Sequence, residues 1–92
     1  MPVSWRAAGD EAPRIRYWAG DYVVYNPLSG DTHFLDIAAG ELLRSIVAAP
    51  QTSSVLGARL ARLLEVPQDE RLAAEIDRTL AQLEALGLIE AC

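Results

Sequence analysis

An apolar stripe near the end of the chain restricts the fold more than any other feature. Leu72, Ile76, Leu80 and Leu83 follow one another at steps of four, four and three, and Leu86 comes three further on. At 3.6 residues per turn these positions share one side of an α-helix, so the spacing predicts a helix beginning near Gln68 or Asp69 with one face pressed on a core. Gly87 ends it, because glycine takes the left-handed conformation that closes helices, and Leu88 is placed to fold back on the last turn.

Two more helices precede it. Asp36 is an N-cap whose carboxylate can accept the free amides of a first turn, and Ile37, Leu43, Ile46 and Val47 follow near helical spacing until Pro50 stops the run. Thr52, Ser53 or Ser54 caps the next helix. Its expected apolar face is Val55, Leu56, Leu60, Leu63 and Leu64, and Val66-Pro67 closes it.

Before Asp36 the pattern is extended. Arg14 to Trp18 and Tyr22 to Tyr25 are rich in aromatic and β-branched residues, which suit a pleated surface. Ala19-Gly20-Asp21 supplies the turn between them. Asn26-Pro27 and Ser29-Gly30-Asp31 make a second turn, and Thr32 to Leu35 is a third, very short strand. Residues 1–13 read as an N-terminal extension in which Pro2, Gly9 and Pro13 interrupt regular structure, although Val3 and Trp5 alternate as a short extra strand would. Leu88 to Glu90 reads as one more short extended piece. The expectation is a single α+β domain over residues 1–92: a winged-helix-like fold with a three-stranded antiparallel meander followed by three helices.

At 92 residues, 51% of them hydrophobic, the chain can hold one core without staples. Thirteen acidic against eight basic residues give a net charge of −5, which repels phosphate backbones unless the basic groups gather on one face. One cysteine, Cys92, can form neither an internal disulfide nor a thiolate metal site. No apolar segment follows a basic start and no stretch approaches a membrane span, so the expectation is a cytoplasmic protein without membrane contact.

The chemistry-bearing residues are sparse. Ser29, Asp31 and His33 lie close in sequence, but a catalytic triad needs its base held between nucleophile and acid, which a tight hairpin does not supply. One histidine and scattered carboxylates do not make a zinc site, and there is no glycine-rich phosphate loop. No enzyme, metal or cofactor is therefore expected. The third helix would show DNA Arg71 and Arg78 together with Asp69, Glu70, Glu75, Asp77 and Glu84, a poor surface for phosphate. Trp5, Trp18, Tyr22, Tyr25 and Phe34 read as core and sheet-covering residues. What remains is the third strand, whose free edge would leave backbone groups able to accept a peptide.

The run VVYNPLSGDTHFLDIAAGELLRSI, followed by a capped helix, a Leu-rich helix and the closing LEALGLIE, resembles the PqqD-like peptide chaperones, or RiPP recognition elements. The similarity covers roughly residues 14 to 90, and the SGDTHFL run is most similar to the subfamily called HPr-rel-A system PqqD proteins. Leu35-Asp36 stands where Leu-Asn is common, and Asp caps a helix equally well.

The resemblance implies a non-catalytic adaptor in natural product biosynthesis, one that holds the leader of a precursor peptide and presents it to a modifying enzyme. By this resemblance the leader adds as a strand to Thr32, His33, Phe34 and Leu35 and lies against a helix wall of Arg71, Leu72, Glu75, Ile76 and Thr79. The subfamily name implies an HPr-kinase-like protein as a neighbour. Two readings from other classes compete: a winged-helix DNA-binding regulator and a structural subunit of an enzyme complex.

Overall fold

The computed structural model describes residues 3–92, so the chain-breaking role expected of Pro2 lies outside the described residues. In chain order the elements are β1 (Ser4–Ala7), β2 (Arg14–Trp18), β3 (Asp21–Tyr25), β4 (Thr32–Leu35), α1 (Ile37–Ala48), β5 (Gln51–Thr52), α2 (Ser53–Leu64), α3 (Glu70–Ala85) and β6 (Ile89–Ala91). The fold is α+β, with three helices and two small antiparallel sheets, ordered β2-β3-β4 and β5-β1-β6.

The first sheet is the meander that the alternating residues predict. Tyr22 stands opposite Tyr17 and Leu35, and Val24 opposite Ile15 and His33. Because side chains alternate across a strand, this register puts Tyr22, Val24 and Leu35 together on the buried face. The β2–β3 turn is two residues long, Ala19 and Gly20, with φ of 56° and 88°. Positive φ at both positions is the type I′ pattern, whose twist matches that of the strands it joins.

The second sheet goes beyond the sequence reading. The N-terminal stretch is its central strand rather than an appendage: Trp5 pairs with Gln51 on one side and with Ala91 on the other. Bonds from Ala8 N to Leu88 O (3.1 Å) and from Cys92 N to Ser4 O (2.9 Å) continue the β1–β6 ladder.

Each helix begins on a side-chain cap. Asp36 accepts from Ala39 N at 2.8 Å, Thr52 from Val55 N at 3.3 Å and Asp69 from Leu72 N at 3.0 Å. The end of α3 is a Schellman motif, with Gly87 at φ 78°, Gly87 N donating to Glu84 O (2.9 Å) and Leu88 N to Leu83 O (3.1 Å).

One core joins all three helices and both sheets. Leu43, Ile46, Leu56, Ile76, Leu80, Leu83, Leu88, Ile89 and Val24 are fully buried in it. The predicted α3 stripe is therefore the buried one, with Leu72 and Leu86 half-buried at its ends.

Two sequence expectations need correction. On α2 the buried side is Leu56, Gly57, Leu60 and Ala61, whereas Val55, Leu63 and Leu64 are exposed. Small residues there admit α3 closely: a Cβ placed on Gly57 would lie 3.5 Å from the Ile76 Cδ1. Among the aromatics, Tyr22 is buried and Trp5 packs at the core margin, but Trp18, Tyr25 and Phe34 are exposed because their strand parity turns them to the outer face of the meander.

Candidate functional site: the free edge of β4

β4 is an outer strand of its sheet, and hydrogen-bond phase decides which of its groups are free. Asn26 N donates to Asp31 O at 2.9 Å, which makes residues 26 and 31 a hydrogen-bonded pair in the same register as the β3–β4 ladder. In an antiparallel ladder such pairs alternate with pairs that are not hydrogen-bonded. Val24–His33 and Tyr22–Leu35 are then the bonded pairs, while Tyr25–Thr32 and Val23–Phe34 are not. The N–H and C=O groups of Thr32 and Phe34 accordingly point away from β3, along the open edge.

The side chains follow the opposite logic. His33 and Leu35 share the inner face with Val24 and Tyr22; Leu35 is buried and His33 half-buried. The His33 Nε2 atom is buried and meets no hydrogen-bond partner among the described residues. Thr32 and Phe34 lie on the outer face, exposed, with Phe34 at 74%.

The turn before β4 is built by the residues that otherwise suggest a nucleophile cluster. Leu28 N donates to the Asn26 Oδ1 (3.0 Å), and Asp31 N donates to the Ser29 Oγ (3.2 Å). Ser29 thus supports the turn backbone, and His33 sits on the far side of the strand from Thr32. Among the described residues no group of three or more His, Cys, Asp or Glu is arranged to hold a metal ion.

The helix residues nominated with β4 occupy one side of α3. Arg71 and Glu75 are exposed, Leu72 and Thr79 are half-buried and Ile76 is buried. Thr79 Oγ1 donates to Glu75 O at 2.9 Å, and Glu75 pairs with Arg78 at 3.4 Å. The cavity that Leu72 and Ile76 line, about 480 Å³, is walled on its other side by Ser53, Ser54 and Gly57 of α2. Chiefly, α3 packs on α2, α1 and β6, whereas β4 packs on β3 and α1. The β4 set and the α3 set are each contiguous, but α1, which packs on both, is the main element that joins them.

A polar network buttresses the meander from α1. The Tyr22 hydroxyl donates to the Glu41 Oε1, and the Arg44 Nη1 reaches that same oxygen at 3.3 Å. The Glu41 carboxylate and burial together raise the Tyr22 phenol above its ordinary pKa. This network joins residues far apart in sequence, and no local pattern announces it. Arg16, Trp18 and Phe34 share the outer face of the meander, a grouping that the sequence expectation of core and sheet-covering roles for Trp18 and Phe34 does not contain, although the alternation of Arg14, Arg16 and Trp18 along β2 is a visible signal for it.

No protein-family model matches the chain, and neither the curated proteins nor the solved structures give a match.

Proposed function

We propose that the protein is a non-catalytic, PqqD-like peptide-binding adaptor of the cytoplasm that takes the leader of a precursor peptide as an added strand on β4 and offers it to a modifying enzyme. The observation that carries this reading is the open edge itself. Thr32 and Phe34 direct backbone donors and acceptors outward from an outer strand only four residues long. Strand addition would satisfy those groups with backbone bonds, while alternate side chains give selectivity. His33 supports the same reading, since a neighbouring strand could bring a polar group to its unpartnered Nε2. In this proposal Arg71, Leu72, Glu75, Ile76 and Thr79 form the helix wall, with the exposed Arg71 and Glu75 as its polar contacts and the buried Ile76 holding the wall in place.

The sequence resemblance and the winged-helix-like order of meander and helices support the reading further. DNA binding is the weaker alternative. The helix that would enter a groove carries Glu70, Glu75, Asp77 and Glu84 against Arg71 and Arg78, on a chain of net charge −5. No helix among the described residues is long and apolar enough to cross a membrane.

The test is a titration of isotope-labelled protein with peptides encoded by short reading frames beside its gene. The expected result is slowed hydrogen exchange at the amides of Thr32 and Phe34 together with shifts along Arg71 to Thr79. Binding that leaves both amides exchanging at the free rate overturns strand addition.

A further inference from the structure

The groove between α2 and α3 is a second surface, and the side chains that line it carry charge of one sign only. Its floor is apolar, formed by Leu72 and Ala73 with the buried Ile76 at its base. Gly57 keeps it open, since a Cβ there would come within 3.5 Å of the Ile76 Cδ1 and 3.4 Å of the Gln68 Nε2. The space enclosed is about 480 Å³.

Carboxylates ring the mouth. Asp69, Glu70 and Asp77 line the groove, all three exposed, and none of the chain's arginines does. Glu70, Ala73 and Asp77, at steps of three and four, share the side of α3 that faces it. Arg71, Glu75 and Arg78 share a different side by the same spacing, where Arg78 pairs with Glu75. The arginines of α2 are engaged toward α1: Arg59 donates to the Ser45 Oγ at 3.0 Å, and Arg62 lines a separate hollow with Arg44 and Glu65. Asp69, Glu70 and Asp77 form no ion pair among the described residues.

One effect opposes these charges. Both α2 and α3 begin at the groove, and two helix N-termini bring about one positive charge between them. Three full carboxylate charges exceed it, and the net charge of −5 has the same sign as they do. The groove is therefore negative and favours a cation. Among the described residues no three acidic groups are arranged to hold a metal ion, so the cation it suits is an organic one. An arginine or lysine side chain has both parts required, methylenes that lie on an apolar floor and a charged head that reaches the rim.

We propose that this groove docks a basic segment of a protein partner, with the stem of an arginine or lysine on Leu72, Ala73 and Ile76 and its head among Asp69, Glu70 and Asp77. Neither Arg71, Glu75 nor Thr79 lines the groove, so the site stands whether or not a leader peptide adds to β4.

A random peptide display library selected on the immobilised protein supplies the probe. The expected winners carry Arg or Lys beside aliphatic or aromatic residues. Anisotropy with a winning peptide should show a loss of affinity of about tenfold or more for the double variant Glu70→Gln/Asp77→Asn, and a similar loss for Ala73→Leu, which fills the groove without changing its charge. The double variant Asp10→Asn/Glu11→Gln removes two charges from the loop before β2, and its affinity should stay within about twofold of wild type. All these positions are exposed, so melting curves should stay close to wild type; if Ala73→Leu alters folding, Gly57→Ala takes its place with a smaller expected loss. The bound peptide should shift the Ser54, Gly57 and Ala73 amide signals without slowing exchange at the Thr32 and Phe34 amides, which separates this site from strand addition. The proposal is overturned by selection of no peptide, by winners that lack basic residues or leave those three amides unshifted, by equal losses in the two double variants, by spermidine binding as tightly as a winning peptide, or by self-association that Glu70→Gln/Asp77→Asn abolishes.

Discussion

Val24 and His33 face each other across the β3–β4 ladder as a hydrogen-bonded pair, so the residue after His33 turns its backbone donor to the open edge. Proline substitution separates the two neighbours. His33→Pro removes a ladder bond and should lower the melting temperature sharply, while Phe34→Pro removes only the outward donor and should leave a folded domain. The folded Phe34→Pro variant should then lose the leader peptide, and Phe34→Ala should largely keep it. A lower melting temperature for Phe34→Pro than for His33→Pro would show the ladder phase to be reversed, and equal curves would show that the phase does not set the cost.

Leu83 lies at the centre of the α3 stripe, with no exposed surface. Leu83→Ala should cost ~2–5 kcal/mol, a large part of the ~5–15 kcal/mol that holds a domain of this size. Leu64→Ala, on the exposed side of α2, should move the urea midpoint much less.

Gly40 sits where α1 crosses Tyr22, and a Cβ built on it would run into the tyrosine ring. Alanine is favoured over glycine in a helix by ~1 kcal/mol, but overpacking costs ~1–3 kcal/mol. Gly40→Ala should therefore destabilise the native protein. In a Tyr22→Ala background the same change should become neutral or stabilising, and denaturant melts of the four proteins measure this coupling.

Tyr22 couples stability to alkaline pH. Glu41 and burial raise its folded pKa above the unfolded value near 10, so below about pH 10 the contribution is fully present. Above that, the unfolded chain releases the proton first, and stability falls as pH rises toward the folded pKa. Urea midpoints should begin to drop as the pH rises through about 10 in the wild type and drop less in Tyr22→Phe; parallel curves would dissociate Tyr22 from the loss.

Ala19 adopts φ 56° in the type I′ turn, a conformation that costs an ordinary L-residue about 1–2 kcal/mol. Asn-Gly is the favoured pair for such a turn. Ala19→Asn should raise stability by roughly 0.5–1 kcal/mol without altering the β2–β3 register, readable as a higher melting temperature with unchanged cross-strand contacts.

The local elements were legible because each rests on interactions within a few residues. The steps from Leu72 to Leu86 gave the buried side of α3, the carboxylate of Asp36 opened α1, and Gly87 closed α3 in the left-handed geometry only glycine adopts freely. The β2 and β4 boundaries followed from turn residues in the same way. The candidate edge strand could be named, and the parity of its alternate residues could not, because that depends on the single bond between Asn26 and Asp31.

Tertiary packing decided what lies beyond that range. The β5-β1-β6 sheet joins opposite ends of the chain, and no local pattern distinguishes Ser4 to Ala7 as a central strand from an unpaired tail. Leu63 and Leu64 look as apolar as Leu56 and Leu60, but only the latter face the core, since one helix can press only one side on a core that closes around Gly57 and Ile76. Trp18 and Phe34 are more apolar than the buried Tyr22. Their exposure follows from a register that places α1 on the other side of the sheet, and that choice is made by contacts between segments rather than by any residue alone.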